Sequence, residues 1–181
     1  MELLERFLGD ALLLGPTVHG DARGYFLEPY NSARFSEVTG LSPRFVQDNE
    51  SMSHAGVVRG LHIQAMPHTQ AKLVRVVKGS VLDVCVDVRA GSPTYGRHFK
   101  VRLDDREKRM LYVPEGFAHG FHTLEDGTIF QYKCTAFYDR PSERTLLWND
   151  PALGIDWEVR DPVLSEKDRQ GVPLSRFSWN T

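Results

Sequence analysis

The chain has 181 residues, 41% of them hydrophobic and 25% charged, with a formal net charge of −2. That length suffices for one domain, residues 1–181, with a sizeable core, and the charge supplies no basic field for nucleic acid or an anionic membrane. No apolar run reaches the length of a bilayer span, and the opening Met1-Glu2-Leu3-Leu4-Glu5-Arg6 is too acidic for a secretory signal, so a cytoplasmic protein with neither a nucleic-acid nor a membrane partner is expected.

In chain order, the N-terminal region, with residues 24–28, is expected to add a strand or two outside the barrel core, and residues 32–38 a short helix capped by Asn31 or Ser32. Residues 73–77 form a strand that ends in the turn Lys78-Gly79-Ser80, and residues 81–88 alternate apolar and polar with the period of a half-buried strand. Ala90-Gly91-Ser92-Pro93 breaks that strand, residues 98–103 alternate again, and residues 110–113 end at Pro114-Glu115-Gly116. Two further strands, 121–124 and 128–134, flank a turn at Glu125-Asp126-Gly127, and Ser165 opens a second possible helix. Short strands with turn signals at roughly 8–12-residue spacing indicate an antiparallel sandwich or barrel. Cys85 and Cys134 fall in apolar strand runs and read as buried free thiols.

The chemistry concentrates in Val57-Val58-Arg59-Gly60-Leu61-His62-Ile63-Gln64, followed by Lys72 and Gly79. This reads as the first half of a cupin metal box whose ligands have been replaced. Such a box wants His-x-His, then a Glu, then a Gly that turns the chain. His62 keeps the first position, Gln64 stands at the second His, and Lys72 stands near the Glu. A lysine there repels a divalent ion and attracts an anion, which points to acid/base chemistry on an anionic species, with no metal and no cofactor. Pro114-Glu115-Gly116-Phe117-Ala118-His119 matches the Pro-x-Gly-x-x-His core of the second box. The two half-matches, in order, favour an all-β, cupin-type double-stranded β-helix, a jelly roll with a few short peripheral helices. Taken singly, each histidine reads equally well as a satisfied core residue.

Lys72 shares its strand parity with Val74 and Val76, so it faces the interior if they do and solvent if they do not. Arg23 and Arg59 each precede a glycine, which suits phosphate recognition or a plain surface charge. The amides of Gln47-Asp48-Asn49 could read a base edge or close a turn. Tyr132 and Tyr138 could face one cavity or pack on a strand. Asp168 in Ser165-x-x-Asp168 fits a capping box, or a carboxylate brought back to orient His62.

Together these residues resemble the dTDP-4-dehydrorhamnose 3,5-epimerase family. The motifs run in order from Asp21-Ala22-Arg23-Gly24-Tyr25-Phe26-Leu27-Glu28 through Phe45-Val46-Gln47-Asp48-Asn49, the His62 and His119 segments and Trp148-Asn149-Asp150-Pro151 to Leu164-Ser165-Glu166-Lys167-Asp168. The resemblance implies a dimeric, metal-independent jelly roll acting on a nucleotide-linked 4-keto-6-deoxyhexose. It implies His62 as the base at C3 and C5 with Asp168 as its partner, Tyr132 as the acid on the opposite ring face, and Lys72 beside the 4-keto oxygen. Arg23, Arg59 and His119 would lie along the diphosphate and sugar. Glu28, Gln47, Asn49, Glu143 and Lys167 would line the nucleotide end, with Tyr138 stacked on the base.

Ile63 and Phe137 stand where the family commonly has Tyr, and Pro141 falls one residue later than usual. The motifs leave open inversion at C3 and C5 or at one carbon alone, and the identity of the base. Two other readings compete. One is a metal-dependent cupin using His62, His119 and His122, which Gln64 and Lys72 oppose. The other is a binder of sugar nucleotides without activity, which has no need of a paired base and acid.

Overall fold

The structure is a computed structural model that describes residues 1–179; the last two residues of the expected domain lie outside it. Two antiparallel sheets face each other. The first has six strands in the order β1 (Glu2–Phe7), β2 (Ala11–Gly15), β10 (Met110–Val113), β7 (Lys72–Lys78), β12 (Thr128–Cys134) and β5 (Gln47–Ser53). The second runs β13 (Glu143–Thr145), β6 (Val58–Gln64), β11 (Phe117–Thr123), β8 (Ser80–Asp87) and β9 (His98–Asp104). A hairpin of β3 (Val18–Asp21) and β4 (Gly24–Leu27) stands apart as its own two-stranded sheet. The jelly-roll expectation is met.

Leu13, Val74, Val76, Leu111 and Phe130 of the first sheet meet Val81, Leu103, Phe117 and Phe121 of the second in the space between them. Both outer faces are also covered. Helix α1 (Ser32–Thr39) lays Phe35 on Leu12, Leu14, Leu73 and Tyr112. It is capped by the Asn31 side chain, which accepts from the Arg34 N–H, and Gly40 ends it in the left-handed conformation at φ 76°. On the far side the C-terminal segment packs Leu146, Leu153 and Trp157 onto Val58, Val84, Val86 and Ala118.

One expectation is corrected and two are filled in. The strand at 81–88 is not half-buried: all of β8 is buried. Its apolar residues Val84, Val86 and Val88 face the C-terminal cover, while Asp83, Cys85 and Asp87 share the opposite parity with Val81, a member of the inter-sheet core. The strands flanking residues 125–127 do not pair with each other; the turn carries the chain from one sheet to the other, as Gly79 does between β7 and β8. In the N-terminal region β3 and β4 do lie outside, but β1 and β2 join the main sheet. Ala11-Leu12-Leu13-Leu14 is wholly buried because it is covered on both faces.

One close approach positions the site. Gly60 has φ 116°, and a Cβ there would lie 2.6 Å from Gly120 Cα and 2.7 Å from the His119 carbonyl oxygen. The backbones of β6 and β11 can cross this tightly because both residues lack a side chain. The pairing shifts register at this point and leaves His62 directly opposite His119. Gly60→Ala is therefore expected to destabilise the protein by about 3 kcal/mol or more, read as a lowered denaturant midpoint. An unchanged midpoint would show that the crossing is looser than described.

Candidate active site

An open cleft lies between the sheets, toward the β5 and β13 edges. From β6 come Arg59, His62 and Gln64; from β7, Lys72; from β11, His119; from β12, Tyr132 and Cys134. Strand β5 adds Gln47 and Asn49, β13 adds Glu143, and helix α2 (Glu166–Arg169) adds Lys167. Tyr138 reaches the cleft from the loop after β12 rather than from a continued strand.

His62 Nε2 lies 2.5 Å from Asp168 Oδ1. Asp168 is 3% exposed. Its Oδ2 accepts from the Ser165 hydroxyl at 2.6 Å, and its Oδ1 also accepts from the Gly60 N–H at 3.3 Å. Ser165 at the same time caps α2 by accepting from the Asp168 N–H. The two readings of Asp168 are thus both realised: the capping box aims the carboxylate. With Nε2–H given to Asp168, Nδ1 of His62 carries the free lone pair.

Burial pushes the His62 pKa below its ordinary value, and the Asp168 carboxylate pulls only partly back. Burial would raise Asp168, but its bonds to His62, Ser165 and Gly60 hold it below the usual carboxylate range. Burial also lowers Lys72 against the pull of Cys134, Cys85 and Asp83, and raises Tyr132. The Lys72 ammonium stands over the Tyr132 ring at 5.9 Å from its centroid. The interior reading of Lys72 therefore holds: Val74 and Val76 are buried in the inter-sheet core.

A second imidazole–carboxylate pair lies behind the first. His119 Nε2 is 3.0 Å from both oxygens of Asp83, which is fully buried. Asp83, Cys85 and His119 are the trio among the described residues whose ligand-type atoms lie within 4.8 Å of one another. The charge of Lys72 acts on Asp83 and Cys85 of this trio. The trio of the metal-cupin reading is not assembled, since His122 has the opposite strand parity from His119 and bonds to the Trp157 backbone.

 The family model described as dTDP-4-dehydrorhamnose 3,5-epimerase matches residues 5–176. The chain belongs to this family. It is 51% identical over 170 residues to the dTDP-4-dehydrorhamnose 3,5-epimerase of Methanothermobacter thermautotrophicus, covering 92% of this chain and 91% of that protein. To the enzyme of the same name from Shigella flexneri it is 47% identical over 171 residues, covering 94% of each. The crystal structure of the Legionella pneumophila dTDP-6-deoxy-D-glucose-3,5-epimerase, in complex with dTDP-4-keto-L-rhamnose, superposes with a TM-score of 0.94 at 42% identity, covering 98% of this chain and 94% of that one.

Two expected residues of this epimerase are not brought to the cleft. Arg23 sits at the tip of the β3–β4 hairpin and pairs with Asp21. Glu28 lines a separate shallow pocket with Asn31 and Arg34. Conversely, sequence reading passed over Asp83 as an ordinary polar position of an alternating strand, and over Gln70 altogether. Nothing local marked Asp83, because its partner His119 is 36 residues away.

The acid limb of kcat/KM is expected to titrate below 6.5, since burial favours neutral His62, and the alkaline limb below 10.5, since burial disfavours the Lys72 ammonium. Asp168→Asn removes the group that raises His62, so its acid limb should move lower still while kcat falls by on the order of 10³. An acid limb above the ordinary histidine value would exclude His62 as the titrating base.

Proposed function

We propose that this epimerase inverts C3 and C5 of a dTDP-linked 4-keto-6-deoxyhexose, as in the formation of a dTDP-L-rhamnose-like sugar. The observation that carries this reading is the placement of base and acid. His62 with its carboxylate comes from one sheet, Tyr132 from the other, and both line one cleft. A C–H beside a ketone is acidic because its anion spreads onto oxygen. His62 Nδ1 takes the proton, the electron pair moves to the 4-keto oxygen, and Lys72 donates to the enolate. Losing one such donor typically costs on the order of 10²–10³ in rate. Tyr132, kept protonated by burial, returns a proton to the opposite face as the carbonyl re-forms.

Arg59 and His119 serve the diphosphate and sugar, and Glu143, Lys167, Gln47, Asn49 and Tyr138 the nucleotide end. Glu143 joins two of them: Oε1 accepts from Lys167 at 2.8 Å and Oε2 from the Tyr138 hydroxyl at 3.2 Å. The relatives named for dTDP sugars, one of them holding dTDP-4-keto-L-rhamnose, support this choice of substrate. No helix among the described residues is long and apolar enough to cross a membrane, in keeping with a cytoplasmic enzyme.

His62→Ala should abolish turnover while leaving dTDP binding nearly intact. Tyr132→Phe should spare deuterium exchange in D₂O more than net inversion, because deprotonation survives and reprotonation fails. NMR of the sugar C3 and C5 positions checks both: label at both carbons in the parent enzyme supports double inversion, and equal loss of exchange and inversion in Tyr132→Phe would remove it as the acid.

The active form proposed here is a homodimer. The β3–β4 hairpin is exposed along nearly its whole length, with Tyr25 57% and Phe26 69% exposed. A lone two-stranded hairpin is marginal without a surface to pack on, and this one carries Arg23 and leads into Glu28. Crossing to a second copy would bury its aromatics and deliver both charges to the partner's cleft. Mixing inactive Arg23→Ala and His62→Ala proteins under subunit exchange should then restore about a quarter of the parent activity, since half the dimers are mixed and each holds one intact site. Activity no greater than the sum of the two variants would count against the crossing.

A further inference from the structure

The loop that presents Tyr138 has no burial to order it: Phe137 is 69% and Tyr138 54% exposed. Its backbone is nevertheless held at four successive residues, each time by a glutamine side chain. Gln70 Nε2 donates to the Ala136 carbonyl at 2.7 Å and Gln64 Nε2 to the Phe137 carbonyl at 3.2 Å. Gln47 Oε1 accepts from the Tyr138 N–H at 3.0 Å, and Gln64 Oε1 from the Asp139 N–H at 2.7 Å. The second N–H of Gln64 goes to the His68 carbonyl at 2.6 Å, which ties in the loop that follows β6. Gln64 is 5% exposed, so these bonds sit largely out of water.

A primary amide is suited to this task because it both donates and accepts. A carboxylate in its place would face two carbonyl oxygens with no proton to give. The position that holds the second histidine of a metal cupin thus carries a loop clamp in this chain.

We infer that Gln64, with Gln70 and Gln47, is a positioning residue that preorganises the Tyr138 loop and so sets affinity at the nucleobase end of the cleft. The inference rests on Tyr138 being the base platform. Holding the loop in place before binding removes the ordering cost from the binding step.

The test uses the full chain with Gln64→Met, Gln70→Met, Tyr138→Ala and the Gln64→Met/Tyr138→Ala double variant. Steady-state kinetics on the dTDP-4-keto-6-deoxyhexose and calorimetric titration with dTDP are the readouts. Gln64→Met should raise KM and the dTDP Kd about tenfold while kcat falls less than about threefold. The double variant should match Tyr138→Ala within about twofold, because both act through one ring. Should Gln64→Met fail to fold, Gln70→Met, which is less buried, reads the same split. A raised KM in Tyr138→Ala with none in the glutamine variants, or additive effects in the double variant, would overturn the clamp alone. An unchanged KM and Kd in Tyr138→Ala would overturn the platform reading and the clamp with it.

Discussion

The hydrogen bond between His62 and Asp168 joins positions 106 residues apart, and the rest of the site depends on it. An imidazole in a buried cleft loses proton affinity, and only a carboxylate aimed at one ring nitrogen fixes the tautomer and restores part of that affinity. The aim is secured by ordinary structural devices: a helix cap from Ser165, a backbone N–H from Gly60, and the single bridges Val57–Val163 and Leu146–Val172 on either side of α2. The electrostatics of His62 on β6 are therefore set by the packing of the C-terminal segment.

The opposite wall shows a different solution to charge burial. Lys72 would be costly inside the sandwich without compensation. The compensating negative charge comes from Asp83, which is itself bonded to His119, and from Glu143. The nearby thiols do not compete as anions: burial pushes Cys85 well up and Cys134 up. Lys72 on the first sheet thus faces two imidazole–carboxylate pairs whose histidines lie on the second.

Much of this was legible in the sequence, for reasons that differ by element. The parity of Lys72 with Val74 and Val76 tied it to their face, because a period of two divides a strand into two faces. Parity does not say which face meets the core. On β8 Asp83, Cys85 and Asp87 turn inward and Val84 and Val86 outward, and only the C-terminal cover, a tertiary contact far along the chain, makes that arrangement stable. The same cover hid the role of Asp83. Local chemistry did reveal the caps of both helices, since Asn31 and Ser165 act within three residues of themselves. Glu28 was singled out by resemblance alone and Arg23 also by the glycine that follows it; neither signal carries a position in space, and the described chain brings neither residue to its own cleft.

The C-terminal cover also bears on the order in which the protein is made. Synthesis releases β5 through β12, and with them His62, Lys72, Tyr132 and His119, before α2 exists. A nascent chain at that stage has most of its cleft walls, but His62 lacks its carboxylate and the outer valines of β8 lack their cover. The imidazole–carboxylate pair is accordingly among the last parts of the cleft that the growing polypeptide completes, and it arrives in the same step that seals the sandwich.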